Sequence, residues 1–551
     1  MTTYSTDMPY VPEPWSPDEA EVLRRYFTNL DGPVFALVNL PEVVKGALFA
    51  RYSRSAKSLR RLFLDEFVGD LDVSGDHSVD ATVGLARAEQ LYEKVFFEYG
   101  DDSVAQLGGV HLACEQASNL LTKVLERGRL MSYMEKSTRY VAYDTRLPSG
   151  RYRYYRSPEV LASPLGARYV GDMDRLFDAY AASLPVLYDW FARNVPRQPD
   201  DSDFAYRQAL KAKAFDTLRG LLPAAATSNL GMYGSGQAYE GLLVRMRAHP
   251  LPEARAYADM MLAELRKVIP SWVRRVDVAD RGSTWSTYME NNSSAMADLA
   301  SALFAGEVET TGGPGAAPRV DLVDWDPRAE DKLITGMLYP YTHLSEAELA
   351  HRVAEMPMDQ RTEVMERYAG ERVNRRHRPG RALELASYRF DVVSDYGAFR
   401  DLQRHRLLTV EWQGLTPNHG YTMPAAVEDA GQGGLYAEAM ERSACLFEAV
   451  QERFGPTVAG YAVTLAHRVR YSIHMNAREA MHMLELRTTP QGHSEYRQVC
   501  QQMHRLIAER AGHRAIAAMM GFVDHSDYDD RSLGRLDAER RADLRRRGQV
   551  G

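Results

Sequence analysis

Apolar residues recur at helical spacing along most of the chain, clearly over residues 254–268 and 496–511, and short strand-like runs interrupt them near residues 107–114 and 385–394. The periodicity stops over residues 306–318, GEVETTGGPGAAP, a composition that suits a linker better than a packed element. On both sides of it the same three patterns recur in the same order. GALFARYS (46–53) is matched by TGMLYPYT (335–342). A strand-like run followed by an amphipathic helix ending in paired arginines, residues 108–130, is matched by residues 386–408. An apolar helical stripe leading to Arg-x-x-Pro, residues 242–255, is matched by residues 482–497. The pattern predicts a tandem pair of helix-rich α+β repeats: residues 1–305, a linker at 306–319, and residues 320–551.

Composition narrows the class. A chain of 551 residues with 45% hydrophobic and 26% charged residues can bury more than one core, and a mean hydropathy of −0.40 argues against a largely membrane-embedded or disordered chain. With 67 Lys+Arg against 75 Asp+Glu the net charge is −8, which speaks against a nucleic-acid partner and requires any phosphate site to be local. Three widely spaced cysteines, Cys114, Cys445 and Cys500, form neither a disulfide framework nor a zinc ribbon. With no basic-then-apolar leader and no long apolar run, a cytoplasmic location without a membrane partner is expected. The arginine-rich tail from Arg531 reads as a solvated helix or frayed end.

The chemistry-bearing residues concentrate in a few segments. Arg127-Gly-Arg129-Leu-Met-Ser132-Tyr-Met-Glu135-Lys-Ser137-Thr138-Arg139-Tyr140 places arginines, a carboxylate and hydroxyls in one short stretch, a donor and acceptor set suited to a nucleotide or to a plain solvated turn. In Asn476-Ala-Arg478-Glu-Ala-Met-His482-Met-Leu-Glu-Leu-Arg487, helical spacing sets Arg478 and His482 one turn apart and Asn476 nearly above Arg487. Asn476 also reads as an N-cap, with Glu479 completing a capping box. Gly231-Met-Tyr-Gly-Ser-Gly236 lacks the G-x-G-x-x-G spacing and reads as a turn. His474 and His482 have no metal-ligand spacing, so no metal is expected.

The first of these segments resembles the signature of the flavin-dependent thymidylate synthases, the ThyX family: Arg-His-Arg, seven residues, then Ser-x-Arg-Tyr. Arg127, Arg129, Ser132, Glu135, Ser137, Arg139 and Tyr140 match, and Gly128 replaces the histidine. The second half carries the intact triplet Arg404-His405-Arg406 but has Gly414 where the serine belongs. The Asn476 to Arg487 segment resembles the family's second signature. Its first-half counterparts, counted back from Arg247, are Gly236, Ala238 and Leu242. Leu218-Arg219-Gly-Leu-Leu-Pro223 resembles the family's Arg-x-x-Leu-Pro element, which has no match near Tyr461. The family's His-x-x-x-F-E-H element is replaced by GDDSVAQ in the first half and is loosely echoed by HRPGRALE, with Glu384, in the second.

The resemblance implies a fused pair of subunits whose half-sites complement each other. It assigns Arg404, His405, Arg406, Asn476, Arg478, His482 and Glu135 to FAD. To the pyrimidine nucleotide it assigns Arg404, Glu135, Ser137, Thr138, Arg139, Arg219 and Arg487, with Arg487 as the catalytic residue. The implied activity is C5-methylation of dUMP to dTMP with FAD, methylenetetrahydrofolate and NADPH, in a homodimer that imitates the family's four-subunit assembly. The same reaction on UMP, and a non-catalytic paralogue that binds flavin or nucleotide, are the alternatives.

Overall fold

The computed structural model describes residues 10–40, 42–67, 106, 108–199, 201–304, 306 and 317–526, with residues 533, 534, 536, 539, 540 and 543 of the C-terminal segment. Nearly all of the expected linker, the GDDSVAQ segment but for Gln106, and most of the arginine-rich tail lie outside the described residues. The chain forms two compact units. Unit 1 comprises Met1–Phe177, Pro223–Val308 and Glu448–Ala462; unit 2 comprises Asp178–Leu222, Glu309–Phe447 and Val463–Gly551. Each unit therefore takes one segment from the opposite half of the sequence. The segment that joins unit 2 from the first half carries Arg219.

Unit 1 contains an antiparallel sheet of β1 (Val34–Leu37), β2 (Gly109–Ser118), β3 (Met131–Glu135) and β4 (Thr227–Ser235), in the order β1-β2-β4-β3. The helices that matter to the site in this unit are α1 (Asn119–Leu125), α2 (Gly236–Arg247), α3 (Pro252–Leu265) and α4 (Thr284–Leu303). Unit 2 repeats the plan with β5 (Arg319–Trp325), β6 (Ser387–Asp395), β7 (Thr409–Trp412) and β8 (Arg468–Asn476), in the order β5-β6-β8-β7. Its corresponding helices are α5 (Tyr396–Leu402), α6 (Ala477–Arg487) and α7 (Ser494–Glu509). The same strand order with the same strand-to-helix steps makes the chain a duplicated α+β fold, as the recurring patterns predict.

Polar residues at the strand ends convert strand to helix in both units. Ser118 caps α1 by accepting the Leu121 N–H at 3.0 Å, and Asp395 caps α5 by accepting the Ala398 N–H. Ser235 caps α2 through the Ala238 N–H at 3.3 Å, and Asn476 caps α6 through the Glu479 N–H at 2.9 Å. Each such cap contributes about 1 kcal/mol. More to the point, each cap fixes the residue at which side chains begin to follow helical spacing, and so which residues face the site. Helices α1 and α5 have seven residues each, so the arginine triplets lie in the turns beyond them rather than at helix ends.

A buried glutamate braces the first of these junctions in each unit. Glu253 of α3 accepts the Ser118 N–H at 2.9 Å and its hydroxyl at 2.6 Å, and the Tyr461 hydroxyl donates to it at 2.8 Å. Glu495 of α7 accepts the Asp395 N–H at 3.3 Å and the Thr422 hydroxyl at 3.2 Å. Burial raises the Glu253 carboxyl to about 7 against the lowering effect of Ser118 and Tyr461, and raises Glu495 to about 8 with help from the charge of Asp395.

One sequence expectation is corrected. Residues 231–235 are not a turn but the end of β4. Their glycines serve close packing: a Cβ on Gly231 would lie 2.5 Å from the Phe49 ring, and one on Gly234 would lie 2.8 Å from the Met131 side chain. Glycine there reflects what crosses the strand, not a reversal of the chain.

Candidate active site

Strand register fixes which residues of the two units correspond. Gly109 pairs with Ser235 and Ser118 with Thr227 in unit 1, as Ser387 pairs with Asn476 and Asp395 with Arg468 in unit 2. Asn476, Arg478 and His482 therefore correspond to Ser235, Gln237 and Gly241, one residue earlier than counting back from Arg247 gives. The reason is that α2 has 12 residues and α6 has 11, so the arginines at their C-terminal ends are not equivalent. Counted from the caps Ser118 and Asp395, Arg127-Gly128-Arg129 corresponds to Arg404-His405-Arg406, and Ser137 to Gly414.

In unit 2 a chain of polar contacts runs from the α6 cap to its last residue. Glu479 is buried and faces two histidines: its Oε1 lies 2.9 Å from His405 Nδ1 and its Oε2 3.3 Å from His482 Nδ1. On the far side of His405, Arg487 Nε donates to Nε2 at 3.0 Å. A guanidinium can only donate, so His405 Nε2 must accept, and the imidazole proton sits on Nδ1 facing the carboxylate. Burial lowers the His405 pKa to about 4, which keeps the ring neutral. Burial opposes the charge of Glu479, but hydrogen bonds from His405 and His482 outweigh it and hold the carboxyl at about 2. The result is a charged carboxylate, a neutral imidazole with one tautomer, and an arginine aimed by its Nε. Among the described residues no hydrogen bond occupies the terminal nitrogens of Arg487, so its fork is available to a ligand.

Arg219 and Arg404 meet in the same unit on Asp401, whose carboxylate lies 3.3 Å from Arg219 Nη1 and 3.8 Å from Arg404 Nη1. Arg219 is buried, and its Nη2 has no hydrogen-bond partner. A buried guanidinium nitrogen left unsatisfied costs about 1–3 kcal/mol, and an incoming anion would relieve that cost. Arg478 donates from Nε to the Pro379 carbonyl at 3.1 Å and from Nη1 to Glu384 at 3.4 Å. Asn476 acts as the helix cap, but Glu479 does not reciprocate because its carboxylate is turned to the histidines. Arg406 is exposed in the turn.

The remaining expected residues lie in unit 1, at the edge strand β3 and the loop after it. Glu135 is buried, 3.5 Å from Lys123 Nζ, which also pairs with Glu126. The Ser137 hydroxyl accepts the Arg139 N–H at 3.2 Å, while the Ser137 N–H is tied to the Ser53 carbonyl at 3.0 Å. Thr138 is buried. The structure thus brings Arg219, Arg404, His405, Arg406, Asn476, Arg478, His482 and Arg487 into one unit, and Glu135, Ser137, Thr138 and Arg139 into the other.

Sequence reasoning did not single out Glu479 as a site residue, nor Asp401. The sequence marks Glu479 as half of a capping box, and its spacing three residues before His482 puts both on one helix face. Asp401, three residues before Arg404, carried the same kind of signal. His405, Glu479 and His482 also bring their ligand atoms within 4.8 Å of one another, the one such trio among the described residues. The hydrogen bonds above account for that proximity.

Comparison with known proteins decides the family. The thymidylate synthase complementing proteins (Thy1) match residues 50–271 and again residues 321–511. The chain belongs to this family, as a tandem duplication. Full-length relatives exist: a UPF0159 protein of Chlamydia muridarum is 38% identical over 96% of this chain and 98% of its own. A UPF0159 protein of Chlamydia pneumoniae is 39% identical over 95% and 97%, and one of Thermoplasma acidophilum is 31% identical over 92% and 99%. Among solved structures, the UMP/dUMP methylase PolB of Streptomyces cacaoi bound with 5-Br dUMP gives a TM-score of 0.31 at 19% identity, covering 39% of this Thy1 chain and 100% of its own. No described helix of this chain is long and apolar enough to cross a membrane.

Proposed function

We propose that the chain is a flavin-dependent methyltransferase acting at C5 of a pyrimidine nucleoside monophosphate, converting dUMP to dTMP with methylenetetrahydrofolate and NADPH. The observation that carries this reading is Arg487, held by a neutral His405 with its terminal nitrogens making no hydrogen bond among the described residues; the same unit holds an arginine pair on Asp401 with one buried nitrogen unsatisfied. An arginine cannot lose its proton at working pH, so Arg487 would stabilise negative charge developing on the N3 and O4 side of a uracil and make C5 more nucleophilic. Arg219 would take a phosphate oxygen through Nη2.

Arg404, Arg406 and Arg478 of unit 2 would supply cationic donors for the diphosphate of FAD, with the α6 cap Asn476 and His482 of α6 close to Arg478 in sequence; Glu135 of unit 1 is the remaining residue the family resemblance gives to FAD. When bound, that group supplies the redox chemistry of the methyl transfer. The Glu479 carboxylate would keep the His405 proton on Nδ1, so that Arg487 keeps its aim throughout. Ser137 would donate to phosphate or pyrimidine; no adjacent base is at hand to make it a nucleophile.

The test is deuterium exchange at uracil C5 catalysed by the purified protein, followed by turnover assays with dUMP and UMP side by side. A yellow protein that exchanges C5 deuterium and methylates dUMP supports the reading. A protein that binds nucleotide without exchange overturns it.

A further inference from the structure

The side chains that build the site in unit 2 are missing from unit 1; the Tyr133 hydroxyl, donating to the Gly128 carbonyl at 3.0 Å, takes part of the space and the rest is open. Gly128, Ala238 and Gly241 stand at the positions of His405, Glu479 and His482, and all three line a cavity of about 410 Å³. Its lining is mixed: Leu130, Met131 and Trp285, at the start of α4, are apolar, while Arg129, Arg245, Arg275 and Arg281 bring charge. Among the described residues Glu240 is the one carboxylate in its lining, and Arg275 holds it with two bonds of 2.8 and 2.6 Å.

That leaves Arg245 and Arg281 without a carboxylate in the lining. Among the described residues Arg245 makes no hydrogen bond or ion pair, although burial and the neighbouring charge of Arg127 both disfavour its cation. An uncompensated, largely desolvated guanidinium is expensive to keep unless something pairs with it. Trp285 offers a half-exposed indole on the same wall. The volume lies near the lower end of the roughly 300–1,000 Å³ typical of small-ligand sites, which suits one nucleotide better than a dinucleotide.

We propose that unit 1 carries a second ligand site, in the space vacated by the two histidines and the glutamate, that takes a nucleoside monophosphate with its phosphate at Arg245 and Arg281 and its base against Trp285. The proposal goes beyond the methyltransferase reading and does not depend on it.

The experiment is calorimetric titration of the full chain with AMP at low salt, with inorganic phosphate as the comparison. AMP is expected to bind at one site per chain, at least about tenfold tighter than phosphate, because the ring adds stacking to the charged contacts. Arg245→Met should weaken AMP by about tenfold or more. Gly241→Phe should abolish binding without disturbing the fold, since a Cβ there meets only Arg245 Nη1, at 3.6 Å. Arg487→Gln, in unit 2, should leave AMP affinity unchanged. The proposal is overturned if AMP does not bind, if phosphate binds as tightly, if Gly241→Phe binds AMP normally, or if Arg487→Gln loses AMP as Arg245→Met does.

Discussion

The two units share strand order, caps and a buried glutamate behind the first cap, yet they differ at almost every position where chemistry would occur. Unit 2 has Arg-His-Arg, Glu479, His482 and Arg487; unit 1 has Arg-Gly-Arg, Ala238 and Gly241 in a cavity, and keeps the serine loop that unit 2 lacks. The comparison teaches that the duplicated fold conserved the devices that set register, the caps Ser118, Asp395, Ser235 and Asn476, while the site residues were free to diverge. Fold positions a site; the side chains decide what it does.

The largest effect expected from breaking this comparison is at Arg487. Arg487→Ala should lower turnover about 10²–10³-fold, corresponding to roughly 2–4 kcal/mol of lost transition-state stabilisation, with little loss of bound flavin. Steady-state assays beside flavin absorbance check it, and near-normal turnover would remove Arg487 from the catalytic role. Next comes Arg219→Met, which should raise the nucleotide KM about 10–100-fold with a smaller change in kcat, as loss of a charged phosphate contact. An effect on kcat alone would contradict the phosphate assignment.

Glu479→Gln should act more gently, lowering turnover about tenfold, because the amide oxygen can still accept from one histidine but no longer fixes the tautomer by charge. The wild-type site should also be acid-sensitive. The folded pKa of His405 lies below its ordinary value, so the stability from keeping it neutral is complete above about 6.5 and is lost as pH falls toward about 4.

Glu253 in unit 1 has the opposite sign. Its folded pKa is raised to about 7, so its contribution is complete below the ordinary carboxylate value and is lost as pH rises through 7. Glu253→Gln should therefore flatten part of the fall in Tm between pH 5 and 8, by a few degrees. An unchanged slope would show that the carboxyl is not neutral in the folded protein.

Much of this was legible in the sequence because the signals were local. The triplet at Arg404, the serine loop at Ser137 and the strands ending at Ser118 and Asp395 are contiguous patterns. What was not legible depended on distant partners. Glu479 could not be recognised as the link between His405 and His482, because His405 lies 74 residues away in sequence. The equivalence of His482 to Gly241 rather than Leu242 required the strand register, since one extra residue in α2 defeats counting from the far end. The membership of Arg219 in unit 2 rests on an exchange of segments between halves that no local pattern encodes.

The central proposal is that each chain holds one flavin, in unit 2, because unit 1 has Gly128, Ala238 and Gly241 where unit 2 has His405, Glu479 and His482. Titration of FAD against the protein in the presence of dUMP tests it most directly. The account predicts saturation at one equivalent per chain; two equivalents would show that unit 1 binds flavin as well and would contradict it.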